Sequence, residues 1–171
     1  MKVFISFHRT DTKYKNKIIN ILKENNIQYF CVSDKENFDG WSHQKIANHI
    51  CEKMNDCDVL LCLVGKKTYS RPHVDYEIHF ALKGGLQSRK GILVVMLENR
   101  LDNKNNIDYS TFPTRLKDNM NYIVIEQFAS IQDKLLEALN KSMENKKNNK
   151  IQISKKSPVM KLRTVKYYDK I

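Results

Sequence analysis

Apolar positions along the chain switch repeatedly between strand-like runs and helical spacing. Lys2 to Phe7 is short and β-rich and predicts a first strand. Tyr14, Ile18, Ile21 and Leu22 then share one face of a helix that Asp11 or Thr12 can cap and Asn25-Asn26 ends. Ile27 to Val32 predicts a second strand, followed by a polar loop from Ser33 to Trp41. Ser42 is placed to cap a helix whose inner side is Ile46, Ala47, Ile50, Cys51 and Met54. Asp56 to Asp58 breaks it. Val59 to Val64 is apolar throughout, as a strand covered on both faces requires.

Pro72 at a first helical position and Gly84-Gly85 beyond the end bracket the next helix. Its inward stripe is Val74, Ile78, Ala81 and Leu82. Ile92 to Leu97 predicts another fully apolar strand, and Tyr122 to Ile125 a shorter one. Between them, Glu98 to Asn121 is rich in Asn and Asp, with one short helix around Thr114 to Leu116. Ser130 is placed to cap a last helix carrying Ile131, Leu135, Leu139 and Met143 on its inner side. Such alternation predicts an α/β fold: a flavodoxin-like, doubly wound parallel sheet of five strands with helices on both faces.

The length, 171 residues, suits one domain whose core needs no staples. The net charge of +11 invites a nucleic-acid reading, but its location argues otherwise. Residues 145–171 carry eight Lys and one Arg against one Asp, which is +8 of the total and leaves +3 for residues 1–144. The division predicted is a folded domain over 1–144 and a basic, solvated tail over 145–171. That tail could also hold nucleic acid or an anionic membrane surface. No run approaches the roughly 18 apolar residues of a membrane span, and no signal-peptide pattern opens the chain. A cytoplasmic protein without a membrane span is expected. Cys31, Cys51, Cys57 and Cys62 match neither a zinc spacing nor a disulfide framework, and Cys31 and Cys62 read as core.

In open parallel sheets a ligand sits beyond the carboxyl ends of the strands, where the strand order reverses. For an order of 2-1-3-4-5 that point lies between the first and third strands. Ser6 to Asp11 leaves the first strand, and Gly65 to Arg71 leaves the third and leads into the Pro72 helix. Phe7, His8 and Arg71 are thereby drawn around one crevice. Glu77, one turn from Val74 and Ala81, borders the apolar stripe of that helix and is a candidate acid there. The bland reading is a Glu that complements the helix dipole or pairs with Arg71.

Three stretches together resemble the TIR-like domains, especially the bacterial branch of the Thoeris antiphage defence system. Val3 to His8 is similar to the family's opening strand, where an aromatic follows an Ile-Ser or Phe-Ser pair. Ser33 to Trp41 occupies the position of the family's mobile loop. Thr68 to Ile78 is similar to its Tyr-Glu-Ile/Leu segment, in which the Glu is catalytic; many members carry Trp before that Glu, where this chain has Tyr76. The resemblance covers roughly residues 2 to 143. It implies cleavage of the nicotinamide–ribose bond of NAD, with NAD as substrate and no resident cofactor or metal. Glu77 would be the catalytic acid. Ser6, Phe7, His8, Asp34, Arg71 and Tyr76 would contact NAD, with Phe7 against a ring and Arg71 or His8 neutralising the pyrophosphate. It further implies a cyclic or conjugated ADP-ribose product acting as a second messenger for a separate effector, a phage-derived trigger, and assembly of several copies. The alternative in the same family is a non-catalytic module that works by assembly.

Two weaker signals compete. Gly65-Lys66-Lys67-Thr68 follows a strand but lacks the upstream Gly of a phosphate-binding loop. His73 and His79 are six apart, face different sides of a helix and lack a third ligand.

Overall fold

A computed structural model describes residues 1–32, 40–84, 89–148 and 151. Five strands form one wholly parallel sheet: β1 (Lys2–Ser6), β2 (Gln28–Phe30), β3 (Val59–Val64), β4 (Gly91–Met96) and β5 (Val124–Gln127), in the order β2-β1-β3-β4-β5. The fold is thus α/β and flavodoxin-like, and the order reverses between β1 and β3. Five α-helices connect and cover the strands: α1 (Thr12–Glu24), α2 (His43–Asn55), α3 (Pro72–Lys83), α4 (Thr114–Lys117) and α5 (Ile131–Asn148).

The two-residue period of each strand divides the core between the faces. Phe4, Leu60, Cys62, Val64, Ile92, Val94 and Met96 point to the face covered by α2, α3 and α4. Val3, Ile5, Val59, Leu61, Leu63, Leu93, Val95 and Leu97 point to the face covered by α1 and α5. All six residues of β3, and all six of β4, are buried, as central strands coated on both sides must be.

Helix ends follow local chemistry. The Ser42 hydroxyl accepts from the Lys45 N–H and starts α2. Pro72 opens α3, and Gly84 closes it at φ +100°, a left-handed conformation costly for a residue with a Cβ. Asp11 departs from expectation: it precedes α1, yet its side chain caps nothing, because the Asn99 amide engages the carboxyl instead. Ser130 also does not cap; it closes a short 3-10 turn and its hydroxyl donates to the Gln127 carbonyl.

Strand boundaries shift too. β5 begins at Val124, two residues beyond the start of the predicted run. The Tyr122 and Ile123 N–H groups are taken by the Asn119 carbonyl in a turn, and the Tyr122 hydroxyl donates to the Lys90 carbonyl. β2 is only three residues long. α5 runs across residue 145 to Asn148; the Asn145 amide donates to the Tyr122 carbonyl, and Ile151 packs against the α2/α3 side of the core. The remainder of the basic tail, 152–171, lies outside the described residues. Cys57 and Cys62 are buried, whereas Cys31 and Cys51 are half-buried. Among the described residues no helix is long and apolar enough to cross a membrane.

Candidate active site

Ser6 is the last residue of β1 and pairs in register with Cys62 of β3, at the point where the strand order reverses. Alternation turns its side chain to the α3 face. Glu77 sits in the second turn of α3, facing the sheet, and Ser6 Oγ donates a hydrogen bond to Glu77 Oε2. Both residues are buried, Glu77 at 6 % exposure and Ser6 at 1 %. Burial pushes the Glu77 carboxyl up to about 8, and the Ser6 bond only partly opposes it. Glu77 is therefore a deeper and more strongly perturbed group than its place beside the stripe suggests. Cys62 lies within the same polar group; burial first, then Glu77, holds its thiol up to about 12, so it stays protonated.

His8 follows two residues after Ser6 and is 2 % exposed. Its Nδ1 accepts from the Thr10 N–H at 3.1 Å, which leaves the proton of the neutral ring on Nε2. Nε2 has no partner among the described residues. Burial, then the charges of Arg71, Lys67 and Arg9, lowers the imidazole to about 4. Near neutrality His8 is uncharged. It thus offers an N–H donor and not the positive charge expected of it for a pyrophosphate; among the named residues that charge rests with Arg71, half-buried at the start of α3.

The other expected contacts are less concentrated. Phe7 is turned away from Ser6, against the α1/α5 side of the core, with Lys15 Nζ 5.0 Å from its ring centroid. The structure does not bring Phe7 to Glu77, because consecutive residues of an extended chain point to opposite faces. Tyr76 leans toward α2, where its hydroxyl lies 3.2 Å from Cys51 Sγ. Asp34 falls outside the described residues.

One polar group went unforeseen. Asn99, just beyond β4, donates from Nδ2 to Asp11 Oδ1 at 2.7 Å, while its Oδ1 accepts from the Lys66 N–H at 3.3 Å. It lies in the Asn-rich stretch after β4, where no periodicity marks single residues; its position at the carboxyl end of a strand was the available signal. Among the described residues no three His, Cys, Asp or Glu side chains gather as metal ligands would.

A 2-1-3-4-5 parallel sheet with a buried carboxyl at its switch point is a flavodoxin-like α/β architecture that hosts many functions. A family model described as "Thoeris protein ThsB, TIR-like domain" matches residues 4–102, and the chain belongs to that family. The match includes Ser6, Glu77 and Asn99. Among solved structures, the chain is similar to the TIR domains in the structure of the activated Roq1 resistosome directly recognizing the pathogen effector XopQ. That similarity is 18 % identity over 86 % of this chain and 84 % of the other, with a TM-score of 0.45. No curated protein matches the chain.

Proposed function

We propose that this chain cleaves the bond between nicotinamide and ribose in NAD, with Glu77 as the acid group at the reacting centre. The observation that carries the reading is the Ser6–Glu77 pair: a carboxyl with one side-chain partner among the described residues, buried at the switch point of a TIR-like sheet. Burying a carboxyl with so little compensation costs stability, so a use in binding or chemistry accounts for it better than packing does.

The nicotinamide ring of NAD is positively charged. Docked beside Glu77, it favours the ionised carboxylate and draws the group down from about 8. When the C1′–N bond breaks, its electron pair leaves with nicotinamide, which departs neutral, and positive charge passes to the ribose. A carboxylate held at that point stabilises the charge as it develops. Ser6 orients the carboxylate, Arg71 supplies charge for the pyrophosphate, and His8 supplies a neutral N–H. Attack at C1′ by water gives ADP-ribose; attack by another nucleophile gives a cyclic or conjugated derivative. In this reading the product signals to a separate effector during antiphage defence, after a phage-derived trigger.

The test is NAD consumption. The full chain, purified and in phage-infected cells, is expected to deplete NAD, and Glu77→Gln to slow this by about 10²–10³-fold or more. Mass spectrometry of small molecules from the same cells identifies the product. Intact NAD under every triggering condition, from a protein shown to be folded, overturns the reading.

A further inference from the structure

Two turns meet at the switch point. One leaves β1 and carries Ser6, His8 and Asp11; the other leaves β3 through Gly65 and Thr68 and launches α3, which carries Glu77. Each is held internally. The Asp11 N–H donates to the His8 carbonyl at 2.7 Å, and the Gly65 N–H donates to Thr68 Oγ1 at 2.9 Å. The Thr68 hydroxyl in turn donates to the Leu63 carbonyl at 3.3 Å. Between the turns stands one amide side chain, Asn99, which donates to Asp11 and accepts from the Lys66 N–H.

The strand period explains why this clamp lies where it does. Val59, Leu61 and Leu63 face α1 and α5, so position 65 faces that way as well. There the Asp11 carboxyl lies directly over Gly65: a Cβ at 65 would stand 2.5 Å from Asp11 Oδ2 and 3.0 Å from Asn99 Oδ1. Asp11 is 1 % exposed, and Oδ2 has no partner among the described residues. On the α1 side of the switch point a carboxyl therefore rests on a glycine, while Ser6 and Glu77 face the α3 side.

We infer that Asn99, with Asp11 and Gly65, positions the candidate active site by tying the turn that carries Ser6 to the turn that launches the Glu77 helix. The inference rests on the NAD-cleaving reading for its kinetic consequence and on the structure alone for its effect on Glu77. Asn99 touches neither Ser6 nor Glu77, so it acts through the two turns. Losing it frees them to separate, which admits water to the buried carboxyl and loosens the geometry needed only when charge develops on the ribose.

The experiment uses the full chain with Asn99→Ala, Gly65→Ala, Asp11→Ala and Asp11→Asn, read in two ways. Asn99 is itself exposed, so its truncation removes no core side chain, and the fold of each variant is checked by its denaturant midpoint before either readout. In NAD cleavage, Asn99→Ala is expected to lower kcat by about tenfold or more while KM moves by less than about threefold. Asp11→Asn still presents an oxygen to the Asn99 amide and is expected to keep most of the turnover that Asp11→Ala loses. The second readout needs no NAD: the Glu77 carboxyl, followed by carbon NMR, is expected to titrate nearer the ordinary carboxylate range in Asn99→Ala and Gly65→Ala than in the wild type. A folded Asn99→Ala protein matching the wild type in both turnover and titration overturns the clamp and leaves the NAD reading standing. A shifted Glu77 titration in a chain whose wild type cleaves no NAD does the reverse.

Discussion

Glu77 and Arg100 are buried almost equally, at 6 % and 7 % exposure, yet their surroundings treat charge in opposite ways. Arg100 lies just beyond β4, and each nitrogen of its guanidinium donates at least one hydrogen bond. It donates to both Asp102 oxygens at 2.6 Å, to the Thr111 carbonyl at 2.8 Å, and to the Asp108 carbonyl and the Thr111 hydroxyl at longer range. Burial alone would raise the Asp102 carboxyl, but the bonds from Arg100 and the Asp108 N–H outweigh it and hold the group below its usual range. Among the described residues Glu77 has one side-chain partner, Ser6, and is pushed the other way. Arg100 is compensated by several partners and Glu77 by few, a difference that the proposed role of Glu77 would account for.

Exchanging the two losses tests that distinction. Glu77→Gln is expected to give the largest effect, the loss of NAD cleavage by about 10²–10³-fold, from a protein at least as stable as the wild type. Arg100→Ala should show the converse. Removing one partner of a buried pair costs about 3–5 kcal/mol, read from the denaturant midpoint, while turnover per folded molecule is retained. Equal losses of stability in the two variants would erase the contrast.

A smaller effect appears in the pH dependence of stability. Between about 4.5 and 8 the unfolded chain releases the Glu77 proton and the folded chain keeps it, so stability falls as pH rises, by up to about 1.4 kcal/mol per unit. His8 slopes the other way: between about 4 and 6.5 the unfolded chain binds a proton that the folded chain excludes. The two contributions oppose each other up to about pH 6.5, and above it His8 no longer offsets Glu77. Denaturation at pH 6 and pH 8 should therefore show a loss at pH 8 that Glu77→Gln abolishes. The smallest effect concerns the chain's end. Deleting 145–171 removes the Asn145 bond to Tyr122 and the Ile151 contact and should cost about 1 kcal/mol or a little more, read from the denaturant midpoint.

What the sequence made legible was local. β3 matches its apolar run residue for residue, and Pro72 and Gly84 mark the two ends of α3, because each signal lies within a few positions of what it specifies. Contacts between distant segments left no such mark. Ser6 and Glu77 are 71 positions apart, and only the β1–β3 pairing unites them. Asp11 carries the same residue type whether it caps α1 or turns to Asn99, so its neighbours in sequence do not decide between the two. Phe7 is instructive in another way. The two-residue period sets it on the opposite side from Ser6, whereas topology places the whole segment leaving β1 at one point without separating its two faces. Tyr122 opens the run that predicts the last strand, but two turn bonds to Asn119 claim the chain before the ladder begins.

β3 has one more consequence, for the life of the chain outside its native state. Val-Leu-Leu-Cys-Leu-Val is six residues long, uncharged and free of Pro and Gly, the composition of segments that stack into cross-β fibrils once exposed. In the native sheet every one of these residues is buried, so the hazard exists only during synthesis or after unfolding. Asp56 and Asp58 precede the segment, and Lys66 and Lys67 follow it. In-register stacking would pile like charges at both ends of the strand, the flanking pattern that opposes such assembly.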